Sequence, residues 1–192
     1  MSETLTARAA FTLEARHSRF LAQAAPAQSP EAALAFLAEV ADAGATHNCW
    51  AYRIGAEYRS CDDGEPAGTS GRPILAAIDG QGLDEVVVVV TRWYGGIKLG
   101  AGGLVRAYGG AAAECLRTAP RRILVTLREL EVRAGFDDIG AVHAALAAAG
   151  ADKRGEAFDA DGVVMRVSLA EDAVDALRVA LRDSTRDRAQ IL

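Results

Sequence analysis

The chain has 192 residues, enough for one large domain or two small ones, and 51% of them are hydrophobic, enough for a buried core. Its 26 acidic and 21 basic residues give a formal net charge of −5, which argues against a uniformly basic nucleic-acid coat protein. A local basic patch remains compatible with this balance. The N-terminal residues carry charges throughout and lack the apolar segment of a secretory signal, and no apolar run approaches the roughly 20 residues of a membrane helix. We therefore expect a cytoplasmic protein without membrane contact.

Hydrophobic spacing and turn signals predict the elements of the first half in chain order. Ser29 and Pro30 have the residue types of a helix N-cap and first position, and Gly44 is the expected stop. Five consecutive valines begin at Val86, and such a run predicts a strand buried on both faces in the middle of a sheet. The predicted elements are strands over 8–14 and 18–25, a helix over 30–44, a strand over 48–54, a loop over 55–69, a helix over 70–78, a strand over 85–92 and a helix over 104–117.

A break at residues 118–120 predicts a domain boundary, with one domain over 1–119 and another over 120–192. The second domain reads as strand 122–133, helix 139–149, strands 151–158 and 163–169, helix 171–182 and a short strand over 187–192. This βαββαβ order is the ferredoxin-like plan. The sequence therefore predicts a two-domain α+β protein, and nothing in the second domain indicates catalytic chemistry.

The most unusual stretch is the glycine-rich segment, residues 92–110, which connects the valine strand to the following helix. Glycine permits positive φ angles and close approach of a ligand to the backbone, and free amides at a helix start attract anions. The segment interleaves the cations Arg92, Lys98 and Arg106 with the aromatic residues Trp93 and Tyr94. Its candidate backbone contacts are Gly95, Gly96, Gly100, Gly102 and Gly103.

This combination suits a phosphate group, a nucleotide or an RNA backbone, with phosphates on the cations and bases stacked on the aromatic rings. The standard phosphate-binding motifs are absent, however, since neither GxxxxGK[ST] nor a clean GxGxxG occurs. The alternative is that the glycines only permit tight packing between strand and helix. We favour a ligand or partner role, because basic and aromatic groups lie among the glycines.

An acidic loop is the second candidate site. Asp62, Asp63 and Glu65 lie close together and could hold a divalent cation, or they could be solvated charges and turn caps. Thr69 and Arg72 follow as further candidate ligand contacts, although Thr69 could simply cap the next helix.

The third candidate surrounds His47 and Asn48. His47 and Cys49 lie two residues apart on a predicted strand, so they could face the same way as a nucleophile pair. A buried cysteine beside a hydrogen-bonded histidine is the favoured alternative, because no third, orienting residue can be identified. The three cysteines, Cys49, Cys61 and Cys115, form no CxxC pair, so neither a disulfide framework nor a zinc site is predicted.

Three strings in this order, residues 45–52, 62–73 and 92–110, together resemble the IMPACT family and specifically its bacterial YigZ branch. The resemblance implies a first domain similar to the second domain of a small-subunit ribosomal protein, a fold also used by translation factors and small-molecule kinases. It implies a second domain similar to the last domain of elongation factor G. Eukaryotic family members restrain a stress kinase of translation initiation, but they carry an additional protein-binding domain that this sequence does not contain.

Three functions follow as hypotheses. The first is a non-enzymatic, translation-associated factor that binds RNA, the ribosome or a translation protein through the glycine-rich segment. The second is an enzyme acting on a phosphorylated or nucleotide-like molecule, with a divalent metal on the acidic loop. The third is a protein-interaction module without a ligand. The sequence identifies no cofactor, and the first two hypotheses expect the acidic loop and the glycine-rich segment to share one cleft.

Overall fold

The computed structural model describes residues 2–192, which fold into two compact units that divide between Leu124 and Val125. The predicted two-domain α+β class is confirmed. The elements of the first unit are β1 (Glu3–Leu5), β2 (Ala9–Ala15), β3 (Ser18–Pro26), α1 (Pro30–Val40), β4 (His47–Ile54), β5 (Glu57–Cys61), α2 (Gly71–Gly80), β6 (Val86–Trp93), α3 (Ala101–Thr118) and β7 (Arg121–Ile123). Those of the second are β8 (Leu127–Gly135), α4 (Ile139–Ala148), β9 (Asp152–Phe158), β10 (Gly162–Ala170), α5 (Val174–Thr185) and β11 (Gln190–Ile191).

The first unit is built on a five-stranded antiparallel sheet in the order β2-β3-β6-β4-β5, so the valine strand is central as predicted. Val86, Val88 and Val90 face a core formed with α2 and α3, whereas Val87 and Val89 face a second core formed with α1. Because successive side chains of a strand point to opposite faces, burial of both faces explains the unbroken valine run.

Helix α1 begins as its sequence predicts, because the Ser29 side chain accepts a hydrogen bond from the amide of Ala32 and Pro30 takes the first position. The helix ends at Val40, before the predicted Gly44 stop. The amide of Ala41 still bonds to the Leu37 carbonyl, but the extended backbone of Ala41 turns the chain away. The glycine therefore belongs to the loop after the helix.

Two sequence-based boundaries are wrong. The predicted loop over 55–69 contains β5, an edge strand that pairs antiparallel with β4. Its charged residues are typical of a loop, so the sequence pattern does not indicate a strand there. The predicted single strand over 122–133 is two strands, because β7 pairs with β1 whereas β8 lies in the second unit. The pairing of β7 with β1 therefore extends the first unit to Leu124, beyond the boundary expected after residue 119.

The second unit has the sheet order β11-β8-β10-β9, with every neighbouring pair antiparallel, which is the ferredoxin-like topology that the sequence predicts. Helices α4 and α5 bury Val142, Leu146, Leu177 and Leu181 against one face of this sheet. Among residues 2–192, no helix is long and apolar enough to cross a membrane.

Candidate functional site

The glycine-rich segment leaves the sheet at the end of β6 and packs against the turn between β2 and β3. A Cβ atom on Gly95 would lie 2.0 Å from the carbonyl oxygen of His17, so only glycine fits there. The amide of Gly95 donates to the hydroxyl of Ser18 over 3.2 Å. These contacts fix the path of the segment as it leaves the strand.

The other glycines of the segment differ in what they do. Gly100 precedes α3 with a φ of 74° and provides no side-chain cap, and a Cβ on Gly103 would lie 2.9 Å from that of Leu99. Gly96 also has a positive φ, 89°, but open space surrounds its missing Cβ, and at Gly102 that position lies 3.6 Å from the guanidinium of Arg106. Chain geometry therefore accounts for Gly100 and Gly103 without a ligand.

A buried ion pair joins the glycine-rich segment to the acidic loop. Arg92, at the end of β6, donates to Oε1 of Glu65 over 2.6 Å, and the hydroxyl of Tyr108 on α3 donates to the same oxygen over 2.7 Å. Burial raises the pKa of the Tyr108 hydroxyl, and the adjacent Glu65 carboxylate raises it further. The two segments that the sequence singles out therefore meet at this pair.

Arg92 is not the exposed phosphate contact that the sequence suggests. Its side chain is 6% exposed, and its guanidinium carbon lies 5.5 Å from the ring centre of Phe20 and 5.3 Å from that of Tyr94. Within residues 2–192, its remaining side-chain hydrogen bond is a long one to Ser18, and its Nε atom has no partner. The charge of Arg92 is compensated by Glu65 inside the protein, so this arginine holds the site together.

The acidic loop is a hydrogen-bonded turn rather than a metal site. The Asp62 carboxylate accepts bonds from the amides of Gly68, Ser70 and Gly71 and from the Ser70 hydroxyl, over 2.7–3.1 Å. Burial alone would raise the pKa of Asp62, but these donors lower it below its ordinary value.

Asp63 and Glu65 point to other partners, since Asp63 accepts the amide of Asn48 over 2.6 Å and Glu65 faces Arg92. Over residues 2–192, no three His, Cys, Asp or Glu side chains are placed to share a cation. The hypothesis of a metal on Asp62, Asp63 and Glu65 is therefore wrong in this geometry, because each carboxylate is occupied separately.

His47 and Asn48 are likewise used within the protein. Nδ1 of His47 donates to the carbonyl oxygen of Asp63 over 2.6 Å, which leaves Nε2 facing Glu65 at 3.8 Å. The Asn48 side chain bonds to both the amide and the carbonyl of Asp42, and it accepts from the Thr91 hydroxyl. These side chains therefore orient loops, and only Nε2 of His47 is left without a hydrogen bond within residues 2–192.

Two further candidates lie in and beside the acidic loop. The buried Thr69 hydroxyl donates to the carbonyl of Pro66 over 2.6 Å and so closes the loop. Arg72 is exposed in the first turn of α2, next to Gly68. Thr69 is therefore structural, whereas Arg72 stays a candidate contact.

The structure leaves Cys49 without the properties of a nucleophile. Its thiol is fully buried and donates to the carbonyl oxygen of Asp62 over 3.0 Å. Burial raises the pKa of this thiol to about 12, so the thiolate is scarce near neutral pH. The structure therefore favours the alternative to a catalytic Cys–His pair, a buried cysteine beside a hydrogen-bonded histidine.

Four exposed cations surround the glycine-rich segment, and we call them the basic rim: Arg16, Arg19, Lys98 and Arg106. Arg16 donates to the carbonyl of Lys98 over 3.2 Å, which joins the β2–β3 turn to the segment. None of the four has an ion-pair partner within residues 2–192. Arg16 and Arg19 cannot be recognised from the sequence as part of this surface, because they approach the segment only through strand pairing.

The two aromatic candidates, Trp93 and Tyr94, differ in how freely their rings could stack against a ligand. The Tyr94 ring is 44% exposed, while its amide is held by the Thr46 hydroxyl over 2.9 Å. The guanidinium of Arg19 covers Trp93 at 4.0 Å from the ring centre, and the indole N–H donates to Asp42. Tyr94 is therefore the better placed stacking surface, and Trp93 serves mainly to hold Arg19.

Comparison with known proteins shows similarity along both units. The model of the Impact N-terminal domain matches residues 16–116, and a domain of unknown function, DUF1949, matches residues 132–188. The chain is 52% identical to an "IMPACT family member in pol 5'region" of Thermus thermophilus, over 90% of this chain and 96% of that protein. It is 36% identical to "IMPACT family member YigZ" of Escherichia coli K12, over 93% and 91% respectively.

More distant matches are shorter or structural. "Protein IMPACT" of Mus musculus is 42% identical over 95 residues, which are 44% of this chain and 29% of that protein. A solved structure titled "Crystal structure of an hypothetical protein" superposes with a TM-score of 0.69 at 34% identity, covering 100% of this chain and 97% of the other.

Proposed function

The chain belongs to the IMPACT family as a YigZ-type member, and we propose that it is a cytoplasmic, translation-associated factor that binds RNA through the basic rim. The proposed ligand is ribosomal RNA, on the ribosome or on a particle derived from it. The association with translation is inferred from the family resemblance. The choice of surface comes from this chain's own residues.

One observation carries the proposal: four exposed cations without ion-pair partners lie around one segment of a protein whose net charge is −5. Most basic residues elsewhere in the chain lie beside a carboxylate, as Arg53 does with Asp79 and Arg188 with Asp138. Unpaired cations pay no cost of breaking an ion pair when they meet phosphate, and they release counterions from the nucleic acid.

Tyr94 offers a second contact for RNA, by stacking rather than by charge. Its ring is exposed in the same segment as Lys98, so a base from a single-stranded region could stack on it while the rim contacts the flanking phosphates. Base stacking on an aromatic ring contributes about 1–3 kcal/mol per base, whatever the base.

The structure supports the metal-dependent enzyme less well, because the three loop carboxylates that would hold the metal are already bound to protein groups. A protein-only partner is an outcome of the test below.

Salt-dependent binding of ribosomal RNA fragments tests the proposal. Wild-type protein should bind with an affinity that falls steeply as salt rises, and the variant Arg19→Glu/Lys98→Glu should bind at least tenfold more weakly with a shallower salt slope. The matched control is Arg59→Glu/Arg178→Glu, which changes the net charge equally at exposed positions on β5 and α5.

Equal loss in the control and rim variants would mean that net charge alone governs binding, and the proposed surface would be wrong. Absence of RNA binding in wild type, together with nuclease-resistant copurification of a protein partner, would replace the proposal with the interaction module.

A further inference from the structure

A groove lies between the β2–β3 hairpin and the start of α3, and its volume is about 260 Å³. Its walls combine small and apolar side chains with two cations. The lining residues are Leu13, Ala15, Arg16, Leu99, Gly103, Arg106 and Ala107. The buried network of Arg92 and Glu65 does not contribute to it, so the groove is a separate feature of the glycine-rich surface.

Two arginines, Arg16 and Arg106, line this groove. Arg16 occupies a turn position with a φ of 46° and bonds to the Lys98 carbonyl through one guanidinium nitrogen, which leaves its other donors free. Arg106 extends back along α3, and one of its guanidinium nitrogens lies 3.6 Å from where a Cβ of Gly102 would be. Both arginines are exposed and lack ion-pair partners in the part of the chain that the structure covers.

We propose that this groove binds a nucleotide with a terminal phosphomonoester, with the phosphate between Arg16 and Arg106 and the base of the same nucleotide against Leu13, Ala15 and Leu99. The inference deepens the proposed function, on which it rests for the choice of RNA as the larger ligand. The same chemistry is found in a free nucleoside monophosphate and at the phosphorylated end of an RNA strand.

Charge and size favour this ligand over an internal stretch of RNA. A phosphomonoester carries about −1.5 to −2 charges at neutral pH, which matches two arginines, whereas an internal phosphodiester carries only one. The groove, at about 260 Å³, is slightly smaller than the roughly 300–1,000 Å³ of most small-molecule sites, so its size favours a single nucleotide over a longer stretch of RNA. Its apolar floor suits the flat face of a base and contributes nothing to a bare phosphate ion.

Calorimetric titration of the full chain with adenosine 5′-monophosphate, adenosine and inorganic phosphate tests the site with a free ligand. We expect the monophosphate to bind at least tenfold more tightly than either fragment. In parallel, an RNA decamer with a 5′-phosphate should bind at least tenfold more tightly than the same decamer with a 5′-hydroxyl.

Two variants examine the two halves of the site. Arg106→Gln removes one charge at an exposed position, and Ala15→Leu fills the groove while every charge is kept; both should abolish the preference for the phosphorylated decamer. The matched control is Ala10→Leu, an exposed position on the same strand outside the groove, which should preserve the preference.

The outcomes separate this inference from the proposed function. If both decamers bind equally and the monophosphate does not bind, the groove proposal is overturned while RNA binding by the rim stands. If the monophosphate binds and neither decamer does, the groove proposal stands and the proposed function fails. Binding of none of these probes overturns both, and an unchanged preference in Ala15→Leu overturns the location.

Discussion

At the scale of single residues, the Arg92–Glu65 pair shows how a functional-looking residue becomes structural. Arg92 lies in an unusual motif and carries the charge that a phosphate site needs, but the sequence does not reveal that Glu65, far away in the chain, compensates it. A cation at the end of a doubly buried strand is itself a signal of burial, and it could have indicated a carboxylate partner.

Removal of one member of this pair should therefore cost much more than removal of both. We expect Glu65→Leu to lower the free energy of unfolding by about 3–5 kcal/mol, because it leaves a buried guanidinium uncompensated. The double variant Glu65→Leu/Arg92→Met should recover part of that loss, and the remainder reflects the buried Tyr108 hydroxyl, which has lost its acceptor. Urea denaturation measures both, and a loss below about 1 kcal/mol for the single variant would contradict the buried pair.

The buried thiol of Cys49 gives a prediction for alkaline pH. Burial raises its pKa to about 12, so the unfolded chain loses this proton first and stability falls as pH rises above the ordinary thiol value. Below the ordinary thiol pKa, the protonated Cys49 thiol makes its full contribution to stability. Between pH 8.5 and 10, wild type should lose about 1–2 kcal/mol more than Cys49→Ala.

The control for this measurement is Cys61→Ala, which removes a half-buried thiol on β5. Denaturant titrations at the two pH values give the differences. Equal declines in wild type and Cys49→Ala would show that the thiol ionises freely in the folded protein, and Cys49 would return as a candidate nucleophile.

At the scale of elements, the glycine-rich segment combines positions that tolerate a side chain with positions that do not. Gly95→Ala should lower the free energy of unfolding by roughly 2 kcal/mol or more, because the new Cβ would overlap the His17 carbonyl. Gly110 is exposed within α3 and has open space around it, so Gly110→Ala should raise the free energy of unfolding by about 0.5–1 kcal/mol. Thermal unfolding compares the two, and equal effects would contradict the packing of the segment against the β2–β3 turn.

The conformation of the acidic loop depends mainly on one residue, Asp62. Asp62→Asn should lower the free energy of unfolding at pH 7 by about 1–2 kcal/mol, because a neutral amide replaces a carboxylate that accepts several bonds. The pKa of Asp62 is lowered, so its contribution is present above the ordinary aspartate value and is lost as pH falls through the folded value. The difference between wild type and variant should therefore shrink below about pH 4.

Asp183→Asn, an exposed aspartate on α5, is the matched control and should change stability little. Magnesium should not raise the melting temperature of the wild type, since no cluster of ligands is available to hold it among residues 2–192. A rise that Asp62→Asn abolishes would reinstate the loop as a metal site.

At the scale of the whole chain, the hydrophobic pattern of the sequence predicts most of the fold but does not predict the basic rim. The valine run predicted the central strand, and helix spacing predicted the ferredoxin-like unit, because both patterns report local burial. The edge strand β5 and the pairing of β7 with β1 escaped prediction, since charged edge residues and short strands carry little periodic signal. The basic rim depends on which strands and turns lie together, and no local pattern contains that information.

Hydrogen exchange of the full chain, with and without a ribosomal RNA fragment, shows whether RNA binds at the basic rim. We expect RNA to slow exchange at the β2–β3 turn and in residues 94–106, and we expect Arg19→Glu/Lys98→Glu to lose this protection. Protection confined to residues 125–192, or protection unchanged in that variant, would contradict binding at the basic rim.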